Sequence, residues 1–442
     1  MSWAQQLFIV LNNINNVILY FIGIPFILQM IYMLLFFLPK KTFTKSDKKS
    51  KICVVIPAHN EADVIYNTVK DLIDKQTYPR EMFDVYVVAH NCTDNTKEEA
   101  EKAGAIVFEL NDEDPSKHIV AYALKHAYEE IIKTGIHYDF SIRFDADNHC
   151  NDEFLSLMND AYNSGVRIAR PYESGINMTQ NYFTQACGLY YTFDSRFSSR
   201  ARERLGIDAH VNGPGSLIAF DIIERIGGYD TTSITEDTEF NFKRMLEGEK
   251  CHFVEDAIVY EDLPSNFTDT FNRNKRIASG NIRLLGKYTP LFLWKSISKL
   301  RFSFLEQILT YMFNIICILL CTWLPAFYIY SAIYLGVNGC WTQEATALFF
   351  NLPIGQIMGL KSVLTIVAFA VCCLFLLCGL GQGFLLVLLD YKKMGAKTRR
   401  ELIPGVLLFP AFTVIYCLTM CIGAFTKPKW NKINRNVNQS KE

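Results

Sequence analysis

The residues with the clearest capacity for chemistry lie in Arg143-Phe144-Asp145-Ala146-Asp147-Asn148. They follow a short strand-like run from Tyr138 to Ile142 and precede Asp152-Glu153-Phe154-Leu155, which reads as a helix start. In an extended segment, side chains two apart point the same way, so Asp145 and Asp147 are expected to share one face. Two carboxylates so placed suit a hard divalent cation, which takes oxygen ligands and keeps a substrate diphosphate as co-ligand. A second acidic pair, Glu236-Asp237, opens a helix running from Thr238 to Leu246. Taken alone, acids there read as dipole partners. A third cluster, Arg273-Asn274-Lys275-Arg276-Ile277, carries two guanidinium groups, which favour an anion because arginine pairs bidentately with phosphate and carboxylate. The same cations could instead face lipid headgroups from an amphipathic helix.

The elements that must position these groups alternate. Strands are expected at Lys51–Ile56, Phe83–Ala89, Ala105–Leu110 and Phe140–Phe144, separated by helices from about Ala62, before Gly104 and over Ser116–Lys133. That alternation predicts an α/β domain with a mostly parallel sheet covered on both faces. Asn60 is expected to cap the helix near Ala62. Beyond the Asp-x-Asp, Arg167–Arg170 and Leu217–Phe220 read as strands and Tyr182–Arg204 as a long helix. Val211-Asn212-Gly213-Pro214-Gly215-Ser216 reads as a Gly-rich turn without the Gly-Lys-Ser/Thr of a phosphate loop. It either approaches a substrate or simply reverses the chain.

Both ends are apolar. Leu7–Leu38, Leu305–Leu335, Val363–Leu389 and Leu402–Phe425 each exceed the roughly 20 residues that cross a hydrocarbon core. Lys40, Lys41, Lys45, Lys48, Lys49 and Lys51 follow the first stretch, which places the polar part in the cytoplasm. The loop Lys392, Lys393, Lys397, Arg399, Arg400 belongs on that side too. A full last span would put the basic tail with Lys427, Lys429, Lys432 and Arg435 outside, whereas Pro404, Pro410 and Gly423 permit a re-entrant or interfacial segment. Expected units are therefore an anchor over 1–40, a cytoplasmic domain over 41–290, an interfacial linker over 291–304, membrane segments over 305–425 and a tail over 426–442. The net charge of −1 gives no reason to expect nucleic acid. The 13 cysteines lack zinc spacing and read as packing in a reducing compartment.

In order, Val54-Val55-Ile56-Pro57-Ala58-His59-Asn60-Glu61, Asn91-Cys92-Thr93-Asp94, Phe144-Asp145-Ala146-Asp147 and Thr235-Glu236-Asp237 resemble family-two, inverting glycosyltransferases. The resemblance is to the membrane-embedded branch with hyaluronan, cellulose and poly-N-acetylglucosamine synthases. It implies a GT-A fold flanked by transmembrane helices in the plasma membrane, a nucleotide-sugar donor, a glycan or lipid-linked acceptor, and membrane lipids as neighbours. It implies Mg²⁺ or Mn²⁺ on Asp145 and Asp147, and a catalytic base at Asp237 beside Glu236. Donor contacts would come from Pro57, Ala58, Asn60, Glu61, His90, Asp94 and Asp145, and acceptor or diphosphate contacts from Arg273 and Arg276. Three positions depart from the family pattern. His90 replaces an Asp, Ile119-Val120-Ala121-Tyr122-Ala123 lacks the Lys of Gly-Lys-x-x-Ala, and Gln-x-x-Arg-Trp becomes Arg273-Asn274-Lys275-Arg276-Ile277. These losses motivate an alternative expectation, a catalytically impaired binding or regulatory partner. Short products are expected in place of long polymers, because Ile277 offers an acceptor sugar no flat ring.

Overall fold

The computed structural model describes residues 1–426. Trp3–Leu34 forms α1. The α/β part then runs β1 Ile52–Ala58, α2 Ala62–Lys75, β2 Phe83–His90, α3 Thr96–Ala103, β3 Ile106–Leu110, α4 Val120–Lys133, β4 Phe140–Arg143, β5 His149–Cys150 and α5 Phe154–Asn163. It continues with β6 Ile168–Gly175, α6 Tyr182–Phe193, α7 Arg200–Leu205, β7 Ser216–Ala219, α8 Phe220–Ile226, α9 Glu236–Glu247, β8 Cys251–Glu261 and α10 Phe267–Lys299. Seven further helices follow: α11 Phe302–Tyr311, α12 Phe313–Cys321, α13 Trp323–Val337, α14 Gln343–Phe350, α15 Leu360–Cys373, α16 Gln382–Asp390 and α17 Ile403–Ala424.

The strands form one sheet in the order β3-β2-β1-β4-β7-β6-β8-β5. Strands β1 to β4 pair in parallel, as does β6 with β8; β7 runs antiparallel to both β4 and β6, and β5 to β8. Strand β1 is buried throughout, and alternation sends its side chains to two cores. Ile52, Val54 and Ile56 pack with Ile65, Val69 and Leu72 of α2 and Phe154, Leu155 and Met158 of α5. Cys53 and Val55 pack with Leu124, Ala127 and Ile131 of α4 and Ile222 and Ile223 of α8. The chain winds outward from β1 to β3 and then returns to lay β4 on the other flank of β1. Such a reversal opens a crevice beyond the carboxyl ends of the strands, where open sheets bind ligands.

Three helical stretches are long and apolar enough to cross a membrane: Trp3–Phe37, Phe302–Val337 and Arg399–Ala424. The expected span Val363–Leu389 is helical but carries a π-helical stretch, Leu374–Gly381, between α15 and α16. Helix α10 runs through residue 290, where a boundary was expected. Its last turns expose Leu291, Leu293, Trp294 and Ile297 beside Lys295 and Lys299. The last apolar segment does not lead away from the α/β part. Near its start, Gly405 donates its N–H to Gln185 Oε1 of α6 at 2.7 Å; just beyond its end, Ser279 Oγ of α10 donates to the carbonyl of Thr426 at 2.7 Å. Helix α17 is therefore tied to α6 near its start and to α10 just beyond its end. The basic tail beyond Thr426 lies outside the described residues.

Candidate active site

The carboxyl ends of β1, β2 and β4 open into a cavity of about 1270 Å³. Asp145 and Asp147 both line it, but not from an extended segment as the sequence suggested. Asn148 donates its N–H back to the carbonyl of Asp145 at 3.1 Å, and its side-chain Oδ1 accepts from the N–H of Asp145 at 2.8 Å. The pair thus sits on a tight turn after β4, braced by Asn148, which also donates to Asp147 Oδ1 at 3.3 Å.

Arg143, the last residue of β4, joins this turn to α9. Its guanidinium lies 2.8 Å from Glu236 Oε1 and 3.3 Å from Asp145 Oδ1 and is almost fully buried. Gly213 makes room for it: with φ at +87°, a Cβ there would lie 3.2 Å from Arg143 Nη1. The Gly-rich turn therefore packs on the arginine, with Gly215 donating to the Arg143 carbonyl at 2.6 Å. Beyond Glu236, Asp237 accepts from the N–H of Thr238 at 2.7 Å. Burial, with Glu236 adding to it and Arg143 opposing, pushes the Asp237 carboxyl up to about 7. A carboxylate titrating near neutrality in a cleft has the property a general base needs.

Among the expected donor contacts, Pro57, Ala58, Glu61, His90 and Asp145 line the cavity, while Asn60 and Asp94 are not among its lining residues. Those two hold the rim. Asn60 adopts φ of 55°, and its Oδ1 accepts from the N–H of Thr93 at 2.7 Å, so it does not cap α2. Asp94 does that from the neighbouring loop, accepting from Ala62 N–H at 3.3 Å and from Thr96 N–H at 3.1 Å. His90 is buried at the end of β2; burial, with His118 and His59 nearby, lowers it to about 4, and it remains neutral. Its Nε2 has no partner among the described residues.

The two arginines expected to act together both line the cavity, and burial with the neighbouring Arg273 charge lowers Arg276 from the usual guanidinium value; they differ in their partners. Arg273 pairs with Glu261 at 2.7 Å and lies over the Tyr191 ring, 5.1 Å from its centre. Arg276 lines the cavity and feels the charges of Glu236, Asp145 and Asp237. The cavity then runs past Ile277 to Phe313, Tyr416 and Met420 of the apolar helices. Sequence reasoning gave no role to Arg143, Glu173 or Glu261. Glu173, raised to about 8 chiefly by burial, accepts from Asn212 Nδ2 at 3.1 Å, and both residues line the cavity. Glu261, also raised by burial, ends β8. Only a correctly placed β8 could have signalled it. Among the described residues no three His, Cys, Asp or Glu side chains converge tightly enough to hold a metal ion unaided.

A family profile described as glycosyl transferase family group 2 matches residues 142–385, and one described as glycosyl transferase family 2 matches residues 53–227. The first covers more than half of the chain. The chain belongs to glycosyl transferase family group 2. This glycosyltransferase is 26% identical over 270 residues to the probable glycosyltransferase YdaM of Bacillus subtilis, covering 59% of this chain and 62% of that protein. It is 23% identical over 250 residues to the beta-monoglucosyldiacylglycerol synthase of Synechocystis, covering 55% and 50%. The matches thus span about half to three-fifths of each relative's own length. Among solved structures it is similar to the mannosyltransferase PcManGT from Pyrobaculum calidifontis in complex with GDP-Man and Mn²⁺, with 15% identity, 92% of this chain and 98% of that one covered, and a TM-score of 0.49. The α/β part of the glycosyltransferase has the GT-A-like fold of its family, a mixed sheet with its cleft at the strand ends.

Proposed function

We propose that this glycosyltransferase is embedded in the plasma membrane and moves a sugar, with inversion, from a nucleoside-diphosphate sugar such as a UDP-sugar to a glycan or lipid-linked acceptor. In this reading it belongs with the hyaluronan, cellulose and poly-N-acetylglucosamine synthases, with the catalytic domain cytoplasmic. One observation carries it: a single cavity joins the Asp145-Asp147 turn, the Arg143–Glu236–Asp237 cluster and the apolar helices.

Within that cavity Asp237 is the group to accept the proton of the acceptor hydroxyl. The hydroxyl oxygen then bonds to the anomeric carbon as the bond to the diphosphate breaks on the opposite face. Arg143 holds Glu236 and Asp145 in register, and Arg276 faces the charge of the departing diphosphate. Asp145 and Asp147 would hold Mg²⁺ or Mn²⁺, which prefer oxygen ligands. Such a cation, when bound, neutralises the leaving group. His90, neutral and with its Nε2 unpartnered among the described residues, is placed to meet the nucleobase.

A panel of nucleotide sugars, scored for nucleoside diphosphate release, tests the reading. Turnover should require a divalent cation, stop in EDTA and be abolished by Asp147→Asn. Undiminished turnover in chelator would refute the metal assignment, and donor binding without any turnover would favour the regulatory-partner alternative.

A further inference from the structure

The cavity that holds Asp237 is also lined by three asparagines, Asn274 and Asn281 on α10 and Asn314 on α12. Seven residues separate the first two, so they share a helix face. Each carries a buried polar atom with no hydrogen-bond partner among the described residues: Nδ2 of Asn274 and Oδ1 of Asn281 and of Asn314. Asn274 and Asn314 are only 4% and 3% exposed. Native structures seldom leave buried amide atoms unmatched, because each was stripped of water on folding.

The kind of atom left over is informative. Two carbonyl oxygens need donors and one amide nitrogen needs an acceptor. Hydroxyl groups supply both roles, whereas an ionised phosphate only accepts. The amide orientation of Asn314 is set by its Nδ2 donating to the Tyr311 carbonyl at 3.4 Å.

The segments that carry Asn281 and Asn314 also pack against the stretch that carries the base. Gly280 lets α10 press against the loop before α9, since a Cβ there would lie 2.5 Å from Thr235 Cγ2. Asn281 is the next residue along. From the other side Tyr311 Oη donates to Thr238 Oγ1 at 3.4 Å, and Asn314 lies three residues further on. The same wall continues in Phe313, Tyr416 and Met420, which offer an alkyl chain an apolar path.

We propose that Asn274, Asn281 and Asn314 form the acceptor subsite, and that the acceptor is an uncharged amphiphile with a hydroxyl-bearing headgroup. Its hydroxyl gives its proton to Asp237, its oxygen bonds to the anomeric carbon, and the electron pair of the broken carbon–oxygen bond leaves with the nucleoside diphosphate. The assignment rests on the transferase reading above.

The test uses the full chain in zwitterionic nanodiscs, with UDP- and GDP-sugars as donors. Dodecyl glucoside serves as the neutral amphiphile and a polyprenyl phosphate as the anionic one. Dodecyl glucoside should raise nucleoside diphosphate release above acceptor-free hydrolysis. Asn274→Ala and Asn281→Ala should each raise its KM about fivefold, the worth of one hydrogen bond, while kcat and the donor KM stay within about twofold. Stimulation by polyprenyl phosphate alone, or by neither amphiphile, overturns the assignment while leaving the transferase reading in place. A parallel loss of hydrolysis and acceptor use in both variants overturns it as well, by giving the asparagines a structural role. If no donor is turned over in any arm, the transferase reading falls, and the assignment with it.

Discussion

The pH dependence of transfer gives the sharpest test of the proposed base. Burial and the neighbouring Glu236 hold Asp237 near 7, about three units above an ordinary aspartate at roughly 3.9. A base must be ionised to work, so the rate should rise with pH through that value. With a pKa of about 7, Asp237 is about 91% ionised at pH 8 and about 9% at pH 6, so kcat/KM should fall about tenfold across that interval. An unshifted aspartate would leave the profile flat there. Two substitutions separate this from other titrations. Asp237→Asn should lose about 10²–10⁴ of the rate and flatten the profile. Arg143→Met removes the cation that opposes the rise, and should move the inflexion to higher pH. The assay is nucleoside diphosphate release at saturating divalent cation, with a thermal unfolding check at each pH. A flat profile between pH 6 and 8, or an Asn variant within a few-fold of wild type, would refute the assignment.

Three other outcomes follow from the geometry. Arg273→Gln leaves Glu261 buried without its partner and should cost about 3 kcal/mol of stability, whereas Arg276→Gln should spare the melting temperature and raise the donor KM about tenfold; thermal shift and donor titration tell them apart. Asp94→Ala removes the cap shared by α2 and α3, so about 1 kcal/mol of stability should go with donor KM unchanged. A cysteine at the exposed Lys397 should resist an impermeant thiol reagent in intact cells and label after permeabilisation; labelling of intact cells would reverse the proposed orientation.

Much of the molecule was legible because it is local. The buried β1 and β2 announce themselves as β-branched runs, the membrane-length helices as apolar stretches, and the Asp-x-Asp and Glu-Asp pairs as carboxylates at element ends. Strand β8 was not legible. Glu255 and Asp256 interrupt its apolar pattern, and Glu255 is buried only because Arg196, Arg200 and Lys393 surround it. Nor could spacing show that Asp145 and Asp147 sit on a turn, since that depends on the side chain of Asn148 reaching back to the backbone.

The sequence by itself therefore determined the strands up to β4, the helices between them and the apolar stretches, and which residue types stand at their ends, because periodicity and capping act over a few residues. Tertiary structure alone decided which of those groups meet. Arg143 reaches Glu236 across ninety-odd residues, Arg273 is neutralised by a strand the sequence hid, and Asp94 rather than Asn60 caps α2. It also decided that α17 is tied to α6 and α10 and closes the cavity with Tyr416 and Met420. Each of these is a contact between distant elements, whose free energy comes from burial and charge pairing that no local pattern encodes.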